Sequence, residues 1–176
     1  MDDAQKRMDT LKKAMAIEVQ EKGYYLKAAE VAGNPVAKQL FERLAVEEDE
    51  HAAKFKAIEA ELSQGKDWPD IPAPEYGGCH LKQVVAAFDK NAMPADVKVA
   101  RSELEAMQEA MAKELQAYDM YRSRAAETDS QVEKKFYTVL AGEERMHHLA
   151  LLDSYEYLTD PAGWYTVKEK WTLDGA

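Results

Sequence analysis

The sequence predicts an all-α fold, an antiparallel bundle of four long helices made of two copies of one helical hairpin. Three observations predict it. The 176 residues are 46% apolar and 32% charged with only 8 glycines and 6 prolines, which is a globular chain rich in helix formers. Glycine and proline cluster in a few places and leave four long stretches in which apolar residues recur at three- and four-residue steps. Sliding the chain on itself by 96 residues aligns 14–51 with 110–147 without a gap, and 14 of the 38 positions are identical, as a duplicated unit requires.

The first helix is expected from about Asp3 to Ala32, a stretch without proline in which Leu11, Ala14, Glu18, Tyr25, Ala28 and Ala32 share one face. Gly33-Asn34-Pro35 reads as a tight turn. Glycine closes the first helix, asparagine caps the second, and proline takes its first position, where no N–H is needed. The second helix continues to about Gln64. Residues 65–94 hold Trp68-Pro69, Pro72, Pro74 and Gly77-Gly78 around a short helical stretch, Leu81 to Lys90, and read as a long crossover. The third helix is expected from Pro94 to Thr128. Ser130-Gln131-Val132-Glu133 reads as a capping box opening the fourth helix, which ends before Asp160-Pro161. The bundle therefore occupies residues 1–160. The tail, residues 161–176, carries Trp164, Tyr165, Trp171 and Leu173 and is expected to pack on the bundle or on a second subunit.

Charge and cysteine content narrow the function. With 33 acidic against 23 basic residues and a net charge of −10, the chain has no general attraction for nucleic acid or anionic membranes. No apolar run reaches the roughly 20 residues of a membrane helix. Cys79 stands alone, so neither an internal disulfide nor a Cys-x-x-Cys site can form, and the first residues lack the apolar core of a signal peptide. A cytoplasmic protein is expected.

The repeat duplicates polar residues as well as core ones. Glu18 pairs with Glu114, Tyr25 with Tyr121, Glu48 with Glu144 and His51 with His147. In an antiparallel hairpin, residues equidistant from the turn sit at one height, because both helices rise about 1.5 Å per residue. Glu18 and Glu48 are centred on Gly33, and Glu114 and Glu144 on Asp129, so each pair is level. Within Glu48-Asp49-Glu50-His51 and Glu144-Arg145-Met146-His147 the glutamate and histidine are three apart and share a face. Four carboxylates and two imidazoles thus converge at one depth, and burying them demands positive charge. Two divalent cations balance the four carboxylates. The oxygen and imidazole donors suit iron(II) or manganese(II), with zinc or cobalt able to intrude, each ion taking one histidine, one terminal glutamate and shared glutamates.

At these residues the chain resembles the rubrerythrin branch of the ferritin-like di-iron carboxylate superfamily. The resemblance spans roughly residues 6–158 and rests on Glu18, the Glu47-Glu48-Asp49-Glu50-His51 run, Glu114 and the Glu143-Glu144-Arg145-Met146-His147 run. It implies a ferritin-like four-helix bundle, usually a homodimer, whose two iron ions reduce hydrogen peroxide or react with dioxygen. It further implies that Tyr25 and its repeat partner Tyr121 hydrogen-bond ligand carboxylates. Rubrerythrins proper carry a four-cysteine rubredoxin domain, and Cys79 alone cannot supply one, so an external rubredoxin-like electron donor is expected. Glu21, one turn after Glu18 and matched by Ala117, stands where small residues are common and is an open candidate for an additional ligand.

The activity this implies is a non-haem di-iron peroxidase. The alternatives are a ferroxidase or iron-handling protein, a dimanganese catalase, and a helical interaction module whose metal is structural. His148 points about 100° around the helix from His147 and is expected to contact something other than the metals.

Overall fold

A computed structural model describes residues 3–70, 99–164 and 166. Within them lie four long helices, α1 (Asp3–Val31), α2 (Pro35–Ser63), α3 (Arg101–Glu127) and α4 (Gln131–Thr159), and residues 161–164 and 166 are helical as well. α1 packs along α2 and α3 along α4 as two antiparallel hairpins, while α1 also meets α3 and α2 meets α4. This is the expected bundle of two hairpins. The stretch expected as helical at Leu81–Lys90, with Cys79 and His80, falls outside the described residues, as do Tyr165, Trp171 and Leu173.

The first turn is capped as its sequence predicts. Asn34 takes extended angles (φ −80°, ψ 125°) and its side-chain oxygen accepts from the Val36 and Ala37 N–H groups at 2.9 and 3.2 Å, with Pro35 opening α2. Three local expectations are corrected. Gly33 does not adopt the left-handed conformation; among the described residues only Gly65 does (φ 73°). There the Gly65 N–H bonds Leu62 O (3.0 Å) and the Lys66 N–H bonds Glu61 O (3.3 Å), closing α2 through the left-handed glycine. The capping box at Ser130 is half formed. Ser130 Oγ accepts from the Glu133 N–H (3.4 Å), but the Ser130 N–H donates to Thr128 Oγ1 (3.2 Å). The Glu133 carboxylate is taken instead by Arg7 (2.9 Å), Arg124 (3.3 Å) and Thr128 Oγ1 (3.0 Å).

The third correction concerns where α3 begins. It opens at Arg101 and not at Pro94, because the buried Glu103 carboxylate reaches back to the Ala100 N–H (2.8 Å) and ends the helix there. The same carboxylate accepts from the Asn34 N–H (2.8 Å), tying the α1–α2 turn to the start of the second hairpin. Glu103→Ala orphans a buried N–H, and we expect it to cost about 1–3 kcal/mol in urea unfolding of the metal-loaded protein.

Two apolar layers fill the bundle on either side of a polar middle. One, nearer the α1–α2 turn, includes Leu40, Phe41, Leu44, Met107, Leu151 and Tyr157. The other, nearer the α3–α4 turn, includes Leu11, Phe55, Ile58, Trp68, Phe136 and Tyr137. Trp164 packs on α4, its Nε1 donating to Asp153 (3.0 Å) and its ring meeting Tyr157 edge-on. None of the described helices is long and apolar enough to cross a membrane.

Candidate metal centre

Between the two apolar layers lie Glu18 on α1, Glu48 and His51 on α2, Glu114 on α3, and Glu144 and His147 on α4, all buried. The level geometry of the two hairpins brings all six predicted donors together. They form two groups. Glu18, Glu48, His51 and Glu144 offer donor atoms within 4.8 Å of one another, and so do Glu48, Glu114, Glu144 and His147. Glu48 and Glu144 belong to both.

Their oxygens divide between the two groups. Around His51 Nδ1 stand Glu18 Oε2 (3.1 Å), Glu48 Oε2 (3.2 Å) and Glu144 Oε1 (3.3 Å). Around His147 Nδ1 stand Glu48 Oε1 (3.1 Å), Glu114 Oε2 (3.4 Å) and Glu144 Oε2 (3.4 Å). One N–H cannot serve three carboxylates. Such donor spacings are those of ligands sharing an ion at about 2.1 Å. Glu48 Oε1, Glu114 Oε2, both Glu144 oxygens and His147 Nδ1 are buried without a hydrogen-bond partner, a cost that bound cations would remove. A pair of divalent ions with a taste for oxygen and imidazole fits the residues present.

The surrounding groups orient these donors. Tyr121 donates to Glu18 Oε1 and Tyr25 to Glu114 Oε1, each phenol crossing to the other hairpin. Each bond fixes one carboxylate oxygen and leaves Oε2 facing the histidine. The rings of His51 and His147 lie nearly parallel, 5.6 Å apart. His51 Nε2 meets Glu143 Oε2 (2.8 Å), and His147 Nε2 meets Glu47 Oε2 (3.0 Å). A carboxylate behind each imidazole holds the proton on Nε2 and leaves Nδ1 for an ion. Arg43 in turn holds Glu47 (3.1 Å).

Sequence reasoning assigned Glu47 and Glu143 no role. Their signal was present, because they are identical across the repeat. Each acts on the histidine of the opposite hairpin, which face-sharing within one helix does not reveal. Glu21 is also buried, with Oε2 lacking a partner, but it lies outside both donor groups. His148 turns away, its Nδ1 facing Met111 O at 3.1 Å.

Protonation follows from this crowding. Burial first, and then Glu144, hold the Glu18 carboxyl well above its usual range; burial and Glu48 do the same to Glu114. Burial, Glu48 and Glu144 push Glu21 up to about 8. Glu48 and Glu144 go the other way, because the two histidines outweigh the cost of burial. Burial opposes a charge on His51 and His147, yet the carboxylates around them raise both well above the ordinary imidazole range. Burial and the carboxylates they bond keep Tyr25 and Tyr121 protonated far above neutrality.

No curated protein and no solved structure matches the chain. The family model for rubrerythrin matches residues 9–155, a span that holds every residue of the cluster, and the chain with its buried carboxylate and histidine centre belongs to the rubrerythrin family.

Proposed function

We propose that the protein is a di-iron peroxidase that reduces hydrogen peroxide to water with electrons from an external rubredoxin-like donor. Glu18, Glu48, His51 and Glu144 would hold one iron, and Glu48, Glu114, Glu144 and His147 the other. The observation that carries the reading is the division of Glu48 and Glu144, each turning one oxygen toward each histidine. Bound iron supplies the redox equivalents and the Lewis acidity. The chain does the rest. Tyr25 and Tyr121 hold the terminal glutamates in one orientation, Glu47 and Glu143 fix the imidazoles, and the apolar layers keep bulk water from the polar middle.

The test is protein loaded with iron(II) without oxygen and titrated with hydrogen peroxide. One peroxide consumed per iron pair, no oxygen evolved, and repeated turnover only with a one-electron donor is the expected result. Oxygen evolution without reductant, in protein that loads manganese, would identify a catalase. Dioxygen consumption ending in a mineral core inside a hollow shell would identify an iron store. Metal that stabilises the fold without turning over either oxidant would leave a structural centre.

A narrower prediction concerns Glu47. Glu47→Gln weakens the grip on the His147 ring, so manganese(II) affinity at that position should fall about 10–100-fold in equilibrium dialysis while the His51 position keeps its own.

A further inference from the structure

The repeat is broken at one ring beside the centre. Tyr25 stacks on Phe41 with centroids 6.1 Å apart and planes at 21°, and Tyr121 stacks on Tyr137 at 5.9 Å and the same 21°. Phe41 and Tyr137 occupy equivalent positions of the two copies. One half therefore has phenylalanine, whose ring resists oxidation, where the other has a phenol. Beyond Tyr137 the aromatic contact continues to Trp68, 5.7 Å away and buried just past the end of α2. Among the described residues Tyr25 meets another phenol only in Tyr24, edge-on at 5.7 Å, and no further described ring continues that branch.

Packing alone does not account for this row of rings. The Trp68 indole N–H is buried without a hydrogen-bonding partner, which costs stability, and the Tyr137 hydroxyl has the Arg124 side chain as its polar neighbour. Arg124 lies over the Tyr137 ring at 5.9 Å. At the inner end the Tyr121 hydroxyl donates to Glu18 Oε1, so the row begins on a donor of the proposed centre.

We propose that Tyr121, Tyr137 and Trp68 form a one-electron conduit that draws oxidising equivalents away from the centre when peroxide arrives and the external reductant is absent. The inference rests on the peroxide reaction proposed above. A first peroxide takes the two electrons that an iron(II) pair would carry; a second, with no reductant present, accepts two electrons and two protons from the chain and leaves as two waters. Each electron is drawn from Tyr121, whose hydroxyl proton moves along its hydrogen bond to Glu18 Oε1. Tyr137 refills Tyr121, the proton returns, and Trp68 refills Tyr137. Trp68 is the group finally oxidised. Loss of two electrons and two protons, with uptake of one water, leaves its indole carrying one added oxygen, and those protons balance the two that peroxide consumed.

Iron-loaded protein is mixed with a small excess of hydrogen peroxide without reductant. Frozen samples are read by electron paramagnetic resonance, and digests by mass spectrometry for oxygen added at Trp68 and at Trp164. Wild type should show an organic radical and oxygenation of Trp68 well above Trp164. Tyr137→Phe, which copies Phe41, should lose the excess at Trp68, and Trp68→Phe should leave a tyrosyl signal that Tyr137→Phe alters. Trp68 oxygenated no more than Trp164, or equally in wild type and Tyr137→Phe, overturns the conduit. Peroxide consumption is followed in the same samples. Consumption without Trp68 oxidation sinks the conduit alone, whereas no consumption by the loaded wild type sinks the peroxidase reading and the conduit together.

Discussion

With Glu144 replaced by alanine, the protein should leave gel filtration carrying less than one metal ion per chain where the parent carries about two. Glu144 turns one oxygen toward His51 and the other toward His147, so a single truncation removes a donor from both positions. The loss is compounded electrostatically. Two divalent ions held here would share a small volume, and the Glu144 carboxylate, facing both histidines, would offset their mutual repulsion, which is strong at low dielectric. Glu18→Ala removes a donor from one group only, and should leave the Glu114 and His147 position able to hold an ion. The two-electron reduction of peroxide proposed above needs both ions and should be lost in both variants. Metal analysis therefore separates them where activity does not. Circular dichroism should show full helix content in each, because the apolar layers that hold the bundle are untouched. Two ions retained by Glu144→Ala would overturn the shared-ligand reading.

The convergence of these six side chains was legible because the repeat states each of them twice and because helical rise converts sequence distance into height. Neither argument needs knowledge of packing. Everything that depends on how one hairpin meets the other was harder to read. The Tyr25 and Tyr121 bonds run between hairpins, as do the contacts of Glu47 with His147 and Glu143 with His51. A single helix face cannot report them. The ends of the bundle were misread for a related reason. Glu133 looked like the returning half of a capping box, yet Arg7 and Arg124 offer its carboxylate charged partners from α1 and α3. Charge-assisted bonds outcompete a backbone N–H. Glu103 carried no signal at all, since it lies outside the aligned repeat and its targets, the Asn34 and Ala100 N–H groups, are main chain.

Alkaline pH should widen the gap in melting temperature between manganese-loaded protein and protein stripped by a chelator. In the stripped chain Glu18 and Glu114 are held well above the usual carboxyl value of 4.5, and Glu21 at about 8. The unfolded chain releases these protons near 4.5 while the folded one keeps them, so the folded state loses stability as pH climbs through that interval. His51 and His147 act in the same sense. Their folded values lie above 6.5, so the stability of their charged contacts is complete below 6.5 and is lost as pH rises through the raised values. Glu48 and Glu144 act oppositely, their contribution being present above 4.5 and lost only as pH falls. The stripped protein should therefore be most stable between these limits and weaken toward pH 8. Metal reverses the balance above neutrality. An ion needs Glu18 and Glu114 ionised and both Nδ1 atoms free of protons, so binding expels protons, and affinity rises about tenfold per pH unit for each one released. Calorimetric scans of loaded and stripped protein from mildly acid to mildly alkaline pH test this directly. A gap that stays constant would mean that the ions do not displace protons from these residues, and that the donors assigned to them are the wrong ones.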